Sequence, residues 1–137
     1  MKKILFPLTL ALLFSACAST VTIGEELSPA ELIQRANEAM DRNRYNIAIQ
    51  YYEALRDRNQ SNVDLNITAE YHIAFIHYKQ GKMEQAREEL NAVLEYYNSP
   101  DAELLPQHFK RLSQIVLQTI DEKEKRKDPT LKKRNQS

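Results

Sequence analysis

At 137 residues with 19 basic and 19 acidic side chains, the chain has room for one modest domain and carries no net formal charge. Two glycines, no tryptophan and few β-branched runs argue against a sheet protein and for helices joined by short turns. The charge balance speaks against a general nucleic-acid or anionic-membrane binder, and the sequence contains no Gly-rich phosphate loop, HExxH or paired CxxC motif.

The chain opens with Met1-Lys2-Lys3, an apolar run from Ile4 to Phe14 broken by Pro7 and Thr9, and then Ser15-Ala16-Cys17. Charge, grease and small residues in that order predict a secretory signal segment over 1–16, too short to span a bilayer. Cys17 is the single cysteine, which excludes an internal disulfide. Phe14-Ser15-Ala16-Cys17 resembles the lipobox of bacterial lipoproteins, with Phe14 where that family usually has leucine. The resemblance implies cleavage before Cys17 and acylation of its sulfur. Two or more acyl chains make a stable membrane anchor where one is marginal. Ala18 after the cysteine leans toward the outer membrane of the cell envelope. The alternative is an ordinary signal peptide cut at a nearby small residue. Cleavage leaves 121 residues, with 17 basic against 19 acidic side chains.

Residues 17–27 read as a polar tether. Ser28-Pro29-Ala30-Glu31 predicts a helix start, with Ser28 as cap, Pro29 at the first helical position and Glu31 completing a capping box. Leu32, Ile33, Ala36, Ala39 and Met40 fall on one helical face. A second helix is expected over Tyr45–Arg58, then a loop through Asn59–Asn66. A third helix is expected over Ile67–Lys79, a turn at Gln80-Gly81, and a fourth helix over Met83–Tyr97. Pro106 predicts the start of a last helix, its apolar positions being Phe109, Leu112, Val116 and Ile120, with Ile115 beside them. The folded domain is thus expected over 28–121, followed by a charged, disordered tail over 122–137, whose lysines and arginines read as a solvated helix end.

The two helical pairs repeat at an offset of 38 residues. Asn43-Arg44-Tyr45 with Ala48 aligns with Gly81-Lys82-Met83 and Ala86. Here the chain resembles the tetratricopeptide repeat (TPR) family, helix–turn–helix units with small residues where helices cross. Ala36 and Ala48 occupy the small sites of repeat one, with Tyr52 at the large apolar site; Ala74, Ala86 and Leu90 match them in repeat two. The resemblance implies an all-α fold of about five antiparallel helices: two TPR-like repeats and a C-terminal capping helix. A generic five-helix bundle is the alternative.

No constellation for catalysis stands out, and neither an enzyme, a cofactor nor a metal site is expected. His72 and His77 lie five positions apart on one helix, about 140° around its axis, and read as surface or groove histidines. Carboxylates such as Glu53, Asp57, Glu88 and Glu89 read as solvated faces. The resemblance places a concave groove at Ile33, Asn37 and Met40 in repeat one, and at Tyr71, Phe75, Tyr78 and Lys79 in repeat two. Such an aromatic stripe suits a peptide or helix of another envelope protein. Two other readings stay open: a small-ligand pocket beside a periplasmic transporter, and a structural module that forms homodimers. The last helix discriminates. Closing the stripe into a cavity favours a ligand, whereas packing only on repeat two favours a peptide.

Overall fold

The computed structural model describes residues 20–127. The expected signal segment, Cys17 and residues 128–137 lie outside that range. Among the described residues there are five α-helices and no strand: α1 (Pro29–Asp41), α2 (Tyr45–Arg58), α3 (Val63–Lys79), α4 (Met83–Glu95) and α5 (Gln107–Lys127). Short 3-10 turns occupy Tyr96–Asn98 and Ala102–Leu104 between α4 and α5.

Each boundary has a local cause. Ser28 Oγ accepts from the Glu31 N–H at 3.4 Å, and the Glu31 carboxylate accepts from the Ser28 N–H at 2.9 Å, closing the capping box of α1. The two tight turns are built alike. Asn43 (φ 55°) and Gly81 (φ 80°) both adopt the left-handed conformation. The next residue's N–H then reaches back five positions, Arg44 to the Ala39 carbonyl at 2.8 Å and Lys82 to the His77 carbonyl at 2.9 Å. This satisfies the helix-terminal carbonyls in the same way in both repeats. Nothing lies within 4 Å of where a Cβ on Gly81 would be, so Gly81→Ala should cost only the left-handed backbone penalty. The expected loss is about 1–2 kcal/mol in a denaturant titration.

Packing follows the small residues. Ala36, Ala48, Ala74 and Ala86 are all fully buried, as are Tyr52 and Leu90 at the matched large sites. One core lies among α1, α2 and the Ala69, Ile73 and Ile76 side of α3. A second lies among Ile67, Tyr71 and Ala74 of α3, with α4 and α5. Helix α3 therefore serves both cores, which is why apolar residues surround most of its circumference.

Four boundaries differ from expectation. Helix α3 begins at Val63, not Ile67, because Asn62 accepts from the Leu65 N–H at 3.2 Å and caps it there. Helix α4 ends at Glu95 and tightens into the 3-10 turn. Helix α5 continues through residues 122–127, six positions into the expected disordered tail, secured by Arg87 on Asp121 and Glu124. The described part of the expected tether is docked. Val21, Ile23 and Leu27 pack on the first core, and Arg58 donates to the Gly24 carbonyl at 2.9 Å.

Candidate functional site

The seven expected groove positions divide by repeat. In repeat one, Ile33 and Met40 are half-buried against the first core, while Asn37 is exposed. Asn37 Oδ1 accepts the Tyr52 hydroxyl at 2.7 Å, which leaves the amide N–H groups for another acceptor. In repeat two, the rings of Tyr71, Phe75 and Tyr78 form a ladder with centroid separations of 6.1 and 5.9 Å. Tyr71 does not line an open groove: it is 5% exposed, covered by Phe109 of α5 at 5.1 Å. Tyr78 is covered in part as well. Its hydroxyl lies 2.8 Å from Lys123 Nζ, and that ammonium sits 4.3 Å from the ring centroid. Phe75 is half-buried between them, and Lys79 is exposed. A second repeat leaves large rings on its open side, and an amphipathic helix following directly in the chain is the nearest cover.

His72 joins repeat one to α5, a role its sequence position did not disclose. Its ring lies parallel to Tyr52, with centroids 4.7 Å apart, and meets Phe109 edge-on at 5.8 Å. Burial first, and then nearby His108, pull its pKa down to about 4, so the ring is neutral at pH 7. Its Nδ1 is buried and has no partner among the described residues. Helical spacing puts Thr68, His72, Phe75 and Lys79 on a single stripe but gives no sign that Phe109 covers His72. His77, by contrast, is no groove or surface residue. It is buried at the start of the α3–α4 seam, with Nδ1 2.6 Å from Glu89 Oε2.

Helix α5 packs on α3 and α4, in the place where a further repeat would begin. Its residues Arg111, Gln114, Gln118 and Glu122 form an exposed polar stripe, as a terminal helix requires. Next to that stripe, Leu112 and Ile115 follow Phe109 at three-residue steps and are 38% and 53% exposed. Asn37 of α1 is exposed as well, and Phe75 of α3 is half-buried. Among the described residues no cluster of three or more His, Cys, Asp or Glu is placed to hold a metal ion, and no helix is long and apolar enough to cross a membrane.

Residues 39–105, from the last turn of α1 to the segment before α5, match the tetratricopeptide repeat family model. Over 108 residues the chain is 32% identical to an uncharacterized protein of Treponema pallidum (strain Nichols). That stretch is 77% of this chain and 43% of the relative, so the chain spans less than half the length of the relative it matches. No solved structure matches the chain.

Proposed function

We propose, from the match of residues 39–105 to the tetratricopeptide repeat family, that the chain is an adaptor lipoprotein of the bacterial cell envelope. Acylated Cys17 anchors it, with the outer membrane favoured by Ala18. A peptide or helix of another envelope protein lies across Ile33, Asn37, His72 and Phe75 and onto Leu112 and Ile115. The observation that carries this reading is the seat of α5. It packs on the second repeat through Phe109, while Asn37 of repeat one stays exposed. A small-ligand pocket would need α5 to enclose a cavity over Tyr71 and Phe75, and Phe109 fills that space instead. Asn37 amide protons suit a backbone carbonyl, and flat rings contribute contact area at little entropic cost.

Photo-crosslinking in cells tests the face. A photoreactive residue at Asn37 or Leu112 should yield one protein adduct, and the same group at Glu88 on α4 should yield none. An adduct from Glu88 alone, or none from the first two positions, would remove the proposal. Tyr71 is unsuitable for this purpose, since replacing it would disturb the second core.

A further inference from the structure

Neutrality of the whole chain hides a separation of charge along the helix axes. Both tight turns lie at one end of the body, tied side by side where Gln80 Nε2 donates to Asn46 Oδ1 at 3.2 Å. Arg42 and Arg44 flank the first turn, and Lys79 and Lys82 the second. All four are exposed, and none has an ion-pair partner among the described residues. Helix α5 finishes at the same end, because Lys123 reaches Tyr78 in the last turn of α3. Arg87 of α4 engages Asp121 at 2.6 Å and Glu124 at 2.7 Å, while Glu122 lies 3.6 Å from Arg126. Lys125 and Lys127 are left exposed. The uncapped N-termini of α2 and α4 open here beside the C-termini of α1, α3 and α5, so the positive character of this end comes from its side chains and not from helix dipoles. Glu38, Asp41 and Glu84 oppose these cations, with one negative charge left over where Arg87 serves two carboxylates.

The other end is acidic, with Glu25, Glu26, Glu31, Asp57, Asp64 and Glu95. Its cations are fewer: Arg58 donates to the carbonyls of Ile23 and Gly24, Arg56 pairs with Asp57, and Lys110 and Arg111 stand in the first turns of α5.

An independent observation is the course of the chain before α1. Arg58 holds residues 23 and 24 at the far end of α2. The Val21 N–H instead donates to Gln50 Oε1 at 3.0 Å, and Val21 lines a depression with Arg42, Arg44 and Ile47 beside the first turn. Followed backward from Ser28, the segment runs along α2 toward the basic end. Cys17 is four residues beyond Val21, at most about 14 Å of extended chain.

We propose that the basic end is the membrane-facing surface of the protein, lying on anionic lipid headgroups while the acidic end points away. The orientation rests in part on Cys17 as anchor, whereas the attraction to anionic lipid does not. Each Arg or Lys at such a surface raises partitioning about fivefold, and salt screens the effect.

The test takes the purified full chain as the cell makes it. It is mixed with vesicles of phosphatidylcholine alone, or of phosphatidylcholine with one-third phosphatidylglycerol, and followed by sedimentation and amide hydrogen exchange. Expected is binding to both vesicles, with slower exchange over 41–47 and 79–84 on the anionic ones only. Arg42→Glu/Arg44→Glu/Lys82→Glu, all exposed changes, should abolish that difference without unfolding. Binding to the anionic vesicles alone, lost in high salt, would keep the basic end as a lipid surface and refute the anchor. Binding to both with no protection at the turns would overturn the basic end and leave the anchor, assigning those cations to an acidic protein instead. Binding to neither would refute both.

Discussion

Phe109→Ala is expected to destabilise the protein by about 3–5 kcal/mol and to release α5 from the second repeat. Phe109 is 6% exposed and its ring meets Tyr71, His72 and His108, so truncation empties the centre of the aromatic cluster. The remaining grip on α5 is apolar at Val116, Leu117 and Ile120 and polar at Arg87. Arg87 and its two carboxylates are partly solvated, and such pairs are typically worth about 1 kcal/mol or less each. Urea titration should show the large shift for Phe109→Ala and a small one for Arg87→Ala. Hydrogen exchange should show α5 opening ahead of α1 and α2. Comparable losses from the two variants would mean that the ion pairs, not the ring, hold the helix.

Acid should weaken the fold through His72. Its pKa falls from the ordinary 6.5 to about 4 in the folded state, so the unfolded chain binds the extra proton first as pH drops. Stability is therefore full above pH 6.5 and declines between 6.5 and 4. The loss amounts to roughly 3 kcal/mol by the lower limit, since each pH unit across that interval removes about 1.4 kcal/mol. His72→Phe keeps a ring against Tyr52 and removes the proton, so its stability should be flat across that interval. Glu31, lowered by its hydrogen bonds to Ser28, adds its own loss only below about pH 4.5. An unchanged slope in His72→Phe would place the acid sensitivity elsewhere.

Features set by short-range chemistry were legible before the structure. Ser28 and Glu31 close a box across three residues, and Tyr45–Arg58 is the observed α2. Asn43 and Gly81 stand where a left-handed residue is needed, and the four buried alanines stand where helices approach closely. Features set by distant partners were not. The end of α5 depends on Arg87, 34 positions before Asp121, and an isolated ion pair leaves no periodic mark. The docking of residues 23 and 24 depends in the same way on Arg58. The start of α3 was obscured because Asn62 caps from within a run of polar residues that also reads as loop. At the candidate site, helical spacing identified the stripe on α3 but not its cover. Whether Tyr71 or His72 faces outward is decided by where Phe109 lands, and α5 arrives there through the connection from α4.

Charge distribution follows the same logic. The composition gives zero net charge, yet the hairpin topology gathers both turns and the end of α5 at one end of the body. Along the sequence these cations are scattered. The fold puts them together, with Val21 beside Arg42 and Arg44.

An anchored adaptor stands on the fate of Cys17. The intact mass of the protein recovered from the membrane fraction reads it directly. The expected species is a chain that begins at Cys17 and carries added acyl mass on that residue; a chain that begins elsewhere, or a free thiol at Cys17, would contradict the anchor.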